Sequence, residues 1–93
     1  MIVSYKDRRS AEIAEGHMPK GFPADVYQSA RRKLTVLNYA KSLEDLRFPP
    51  GNRLEKLRAD RDGQYSIRIN AQWPLCFRWS DKGPDEVEIV DYH

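Results

Sequence analysis

The stretch SIRINAQWPLCFRW, residues 66–79, decides how this chain folds. Apolar side chains alternate on both sides of a short turn. Tyr65, Ile67 and Ile69 come before it; Trp73, Leu75, Phe77 and Trp79 come after it. A period of two is the spacing of a half-buried strand, so the segment predicts two antiparallel strands joined by a turn. Pro74 stands one residue into the second strand. Proline has no N–H to give a ladder and is confined to edges, strand starts and bulges. Its presence in the most strand-like segment of the chain needs a reason.

The pattern extends outward in both directions. Downstream, EVEIVDY at 86–92 reads as a further strand, with SDKGPD at 80–85 as the turn before it. Upstream, Asp62-Gly63 is a hairpin-turn signal. RLEKL at 53–57 is a weak strand, because Leu54 falls off the parity of Arg53, Glu55 and Leu57. PPGN at 49–52 stops a short helix, which Ser42 caps with Asp45 three residues on. From Ala24 the period becomes helical: Val26, Ala30, Leu34 and Leu37 share a face that Ala40 extends. HMPKGFP at 17–23 is a loop, RRSAEIAEG at 8–16 a turn or two of helix ended by Gly16, and MIVSY at 1–5 a first strand. The order predicts an α+β domain over residues 1–93, a small, mostly antiparallel sheet with N-terminal helices packed on one face. The Trp73–Leu75–Phe77–Trp79 face should meet the helices. Ser66, Arg68, Pro74, Cys76 and Arg78 should form a polar, basic outer face.

Composition bounds the function. Of 93 residues, 40% are hydrophobic and 11% aromatic, which suits one folded domain. No apolar run reaches membrane-spanning length, and MIVSYKDRRS lacks the apolar core of a signal peptide. The cytoplasm is the expected compartment. One cysteine, Cys76, excludes an internal disulfide and leaves too little thiol for a zinc site; its expected role is packing. Glycine-rich phosphate loops, His-x-x-x-His pairs and Gly-x-Ser-x-Gly elbows are absent. His17 sits in a loop and is expected to be exposed.

The net charge of +2 hides an uneven distribution. Arg31 to Lys41 holds bases and no acids. Arg47, Arg53, Lys56, Arg58, Arg61 and Arg68 outnumber Glu55, Asp60 and Asp62, while the tail from Asp81 is acidic. A basic middle suits a phosphate-bearing partner; a solvated face of mixed charge is the bland alternative. The chain ends in VEIVDYH. A terminal strand would deliver the phenol of Tyr92 and the imidazole of His93 to a fixed place, where His works as acid or base near neutral pH. A frayed terminus is the competing reading.

Three blocks, PPGNRLEKL at 49–57, QYSIRINAQW at 64–73 and the closing EIVDYH at 88–93, together resemble the HigB group of bacterial toxins. That group lies within the RelE/ParE superfamily of type II toxin–antitoxin systems. The resemblance runs from about Leu37 to His93; before that only the order of elements agrees. It implies a RelE-like fold and a ribosome-dependent mRNA endonuclease that uses neither metal nor cofactor. The ribose 2′-OH attacks the adjacent phosphorus and the 5′-oxygen leaves. Tyr92 and His93 match the family's terminal Tyr-His pair, which places and transfers protons. Arg58 matches a base near the phosphate, Glu55 falls where some members use histidine, and Gln72 matches a polar residue beside the groove. Arg53, Arg68 and Arg78 are the further expected RNA contacts. Pro74 departs from the pattern, for the family carries there an arginine that binds phosphate and stabilises developing charge. The resemblance therefore implies an attenuated toxin whose partners are the ribosome, mRNA and a helix-turn-helix, HigA-like antitoxin. The alternatives are a ParE-like gyrase-inhibiting toxin and, from another class, a non-catalytic domain that only holds an antitoxin.

Overall fold

The computed structural model describes residues 1–91. Two helices, α1 (Arg8–Ala14) and α2 (Ala24–Tyr39), precede four strands, β1 (Glu55–Lys56), β2 (Tyr65–Arg68), β3 (Pro74–Ser80) and β4 (Gly83–Ile89). Every pair is antiparallel and the order is β1-β2-β3-β4. This is the expected α+β arrangement.

Asp7 caps α1 by accepting the Ser10 N–H at 2.8 Å, one of the orphan donors of a helix start. The helix stops before Gly16, whose φ of +93° favours glycine. Along α2 the predicted stripe holds: Val26, Ala30, Leu34 and Leu37 are all buried. They meet Leu75 and Phe77 of β3, Val87 and Ile89 of β4, and Ile67 of β2, each of which is fully buried. Each such aliphatic or aromatic side chain contributes about 1.5–3 kcal/mol. Trp73 joins this core, whereas Trp79 at the far end of β3 is only half-buried.

The Ser42–Asp45 capping box is present, but it starts a 3₁₀ turn over Leu43–Arg47 rather than an α-helix. Five residues before two prolines give room for little more than i→i+3 bonds. The Asp45 carboxyl is held below its ordinary pKa, chiefly by the backbone N–H of Lys41. Next to it, Asn52 is fully buried. Its amide donates to the Leu46 carbonyl (3.3 Å) and the Phe48 carbonyl (3.0 Å), and its oxygen accepts from Lys33 Nζ. Removing this amide strands buried carbonyls, at about 1–3 kcal/mol. Asn52→Ala should therefore lower the melting temperature by roughly 4–8 °C per kcal/mol lost. An unchanged thermal midpoint would show the network to be dispensable.

The N-terminal segment departs from expectation. MIVSY is not a strand of the sheet. It lies along β4 with one parallel bridge, Tyr5 to Val87, and with Val3 N–H to Pro84 O (2.7 Å) and Val87 N–H to Ser4 O (3.0 Å). β4 explains the interruption: Glu86 has φ +50° and the β3–β4 register shifts between Cys76 and Arg78, the mark of a bulge. The last turn is also shorter than predicted, since Gly83 and Pro84 already pair in β4 with Ser80 and Trp79. A Cβ on Gly83 would sit 2.5 Å from the Met1 carbonyl oxygen, so the N-terminal segment requires glycine there. No helix among the described residues is long and apolar enough to cross a membrane.

Candidate active site

Pro74 is the first residue of β3, which is an internal strand. In an antiparallel ladder, successive residues bond to opposite neighbours. The Ile69 N–H donates to the Trp73 carbonyl at 2.9 Å, so residue 73 bonds towards β2. Residue 74 turns towards the end of β4, where the Val90 N–H donates to the Pro74 carbonyl at 3.0 Å. The return bond, from the N–H of residue 74 to the Val90 carbonyl, is the one that proline cannot make. The cost of the proline is thus one rung at a strand end, and the β2–β3 pairing is untouched.

The ring of Pro74 lines a groove of about 100 Å³ with Arg53, Glu55, Leu57, Ser66, Arg68, Asn70 and Ala71. Cross-strand register builds it: Arg68 pairs with Pro74, and Glu55 pairs with Ser66. Arg53 enters from the left-handed residue (φ +50°) that ends the Pro50–Asn52 turn. Arg53 and Arg68 are exposed, and neither forms an ion pair among the described residues. The groove therefore carries two guanidinium groups against the Glu55 carboxylate, with a hydroxyl between strands. Such a set can bind a phosphodiester through charge-assisted donors.

Arg53, Glu55, Arg68 and Pro74 are thus brought together; Arg58, Gln72 and Arg78 are not among the groove's lining. Arg58 is exposed at the start of the Ala59–Arg61 turn, outside the groove lining. Arg78 is occupied by Glu86 (3.2 Å) and packs so close to Gly63 that a Cβ there would lie 2.6 Å from Nη1. Gln72 lines a second, larger cleft of about 490 Å³ with Arg9, Lys20, Phe22, Trp73 and Asp91. Tyr92 and His93 lie outside the described residues.

The outer face is less basic than its sequence suggests. Ser66 and Cys76 are buried. Across this face Arg61 donates to Glu88 (3.0 Å) and to Gln64 (3.1 Å), with Lys6 at 3.8 Å from Glu88. Burial pushes the Cys76 thiol up, which makes it a poor nucleophile and agrees with a packing role. Among the described residues no three His, Cys, Asp or Glu side chains gather to hold a metal ion.

Two residues that line these clefts were missed in the sequence. Asn70 lines both clefts, and its side-chain oxygen accepts the N–H groups of Gln72 (2.9 Å) and Trp73 (3.0 Å). An Asn just before a turn between two strands is a legible signal for this local bonding. Arg9 had no such signal, because its partners lie far along the chain.

A family model for the RelE-like toxin of the type II toxin–antitoxin system HigB matches residues 6–93. The chain belongs to this family of HigB-like toxins. Its relatives include Toxin HigB-1 of Vibrio cholerae serotype O1, 37% identical over 82 residues that span 87% of this chain and 86% of the relative. Endoribonuclease HigB of Proteus vulgaris is 26% identical over 93 residues, all of both chains. Among solved structures, a chain of the YoeB–YefM complex from Staphylococcus aureus superposes with a TM-score of 0.63, over 100% of this chain and 98% of that one. At 18% identity that likeness speaks for the fold. The match extends the resemblance back to Lys6, into the part of the chain where the sequence blocks were weakest. A HigB-like toxin is one half of a toxin–antitoxin pair, so an antitoxin is a partner of this chain.

Proposed function

We propose that this HigB-like toxin is built as an endoribonuclease acting on ribosome-bound mRNA in the cytoplasm, and that Pro74 attenuates it. One observation carries the reading: Arg53, Glu55, Arg68 and Pro74 share one groove, and the Val90 N–H donates to the carbonyl of that same Pro74. The Proteus vulgaris relative, named an endoribonuclease, supports the chemistry. In the reaction, the 2′-oxygen bonds to phosphorus and the P–O5′ bond breaks. A base takes the 2′-OH proton and an acid supplies the 5′-oxygen with one. Arg53 and Arg68 bind the phosphate, Tyr92 and His93 handle the protons, and Glu55 and Gln72 contact the flanking RNA. Arg58 and Arg78 stand outside the groove and contact RNA at its periphery. The antitoxin is of the helix-turn-helix type.

The missing guanidinium at residue 74 also favours a second reading, a non-catalytic domain that only binds an antitoxin. Translation on purified ribosomes, run beside gyrase supercoiling, separates the possibilities. The reading predicts ribosome-dependent mRNA cleavage after Pro74→Arg and no effect on supercoiling. Inhibited supercoiling would point to a gyrase poison, and silence in both assays to an antitoxin-binding domain.

Electrostatics give an independent prediction. Ribosome affinity should fall steeply as salt rises, because phosphate contacts release counterions. Arg68→Ala and Arg53→Ala should each flatten the slope of log affinity against log salt by about 1. Arg8→Ala, at an exposed position paired with Glu12, should leave it unchanged. An affinity insensitive to salt would contradict the basic groove.

A further inference from the structure

We propose that Arg9 is a positioning residue that fixes the end of β4 against Pro74, and so aims the segment leading into Tyr92 and His93. This rests on the functional reading above and adds a residue to it. Arg9 Nη2 donates to the Ile89 carbonyl at 2.8 Å. The neighbouring Ser10 hydroxyl accepts the Ile89 N–H at 2.9 Å. Ile89 is the last residue of β4, and the Val90–Pro74 bond shows that the next residue turns towards β3. By alternation, both backbone groups of Ile89 face away from β3. Among the described residues no strand continues the sheet at that point, and α1 satisfies the edge with two consecutive side chains.

Arg9 also reaches the other side of the rung. Its guanidinium carbon lies 5.7 Å from the Trp73 ring centroid and 5.5 Å from that of Phe22, within cation–π range. Those two rings meet edge-on at 5.1 Å. Arg9 therefore holds Trp73 and Ile89 together, the residues immediately before Pro74 and Val90. Its Nε is buried without an acceptor among the described residues, a desolvation cost that a freely solvated surface arginine does not carry. The flat, forked guanidinium suits this place, since it bonds a carbonyl in its plane and meets aromatic rings as well.

Backbone amide exchange measured by NMR tests the proposal on the intact chain. Arg9→Gln should speed exchange of the Val90 N–H by about tenfold or more, a local opening. The amides of Leu75 and Phe77 should change less than about twofold, as expected if global stability is kept. Arg9→Lys, with charge but no fork, should fall between. Unchanged Val90 exchange, or equal acceleration at Val90, Leu75 and Phe77, would overturn the proposal. In the Pro74→Arg background, Arg9→Gln should lower kcat by about tenfold or more with little change in KM, as loss of alignment does. A raised KM with kcat intact would make Arg9 an RNA-binding residue instead. If Pro74→Arg does not cleave, the functional reading fails, while the exchange data still decide whether Arg9 holds the strand end.

Discussion

Replacing Pro74 with arginine should raise ribosome-dependent mRNA cleavage by about 10²–10³-fold, the usual effect of one donor to a developing oxyanion. The substitution changes two things at once. It adds a guanidinium beside Arg53 and Arg68 in the groove, and it returns an N–H facing the Val90 carbonyl. The second change alone is worth about 0.5–1.5 kcal/mol of stability if the bond forms. Pro74→Ala separates them, because it returns the N–H without the charge. Alanine should gain the stability and stay nearly inactive in cleavage. Equal rescue by alanine would mean that the proline harms the strand end rather than leaving out a cation. Rescue by neither would favour the antitoxin-binding domain.

Deleting Tyr92 and His93 from the Pro74→Arg protein should remove cleavage by about 10²–10⁴-fold, the range of a lost acid or base. The fold should survive. The core of β4 is complete at Val87 and Ile89, both fully buried, and its end is already tied at Ile89 and Val90. Cleavage is read on ribosomes programmed with a defined mRNA, and folding by thermal melting. Unaltered cleavage would remove the terminal pair from the mechanism. Loss of the folded state would show the two residues to be structural.

Periodicity made the frame readable. Val26, Ala30, Leu34 and Leu37 announce their helix, and Trp73, Leu75 and Phe77 their strand, because each pattern reports a single buried face. Parity likewise placed Arg68 and Pro74 on one face of neighbouring strands, where the register pairs them. Long-range pairing was not legible. Nothing local says that Glu86 claims Arg78, or that Arg61 and Glu88 meet across the outer face over Cys76. Hence the basic face looked wider than the groove that remains. MIVSY has the composition of a strand, but the bulge at Glu86 that limits its pairing lies near the other end of the chain. Arg9 is the extreme case, since its acceptor is 80 residues away.

The chemistry of the cut ends distinguishes 2′-OH attack from hydrolysis by water. mRNA cleaved by the Pro74→Arg protein on purified ribosomes can be analysed for its new termini. Attack by the neighbouring 2′-OH leaves a 2′,3′-cyclic phosphate, or its opened form, upstream and a 5′-hydroxyl downstream. Those ends should appear only when ribosomes are present, and should be lost when Arg68 is also changed to alanine. New 5′-phosphate ends, or intact mRNA, would contradict it.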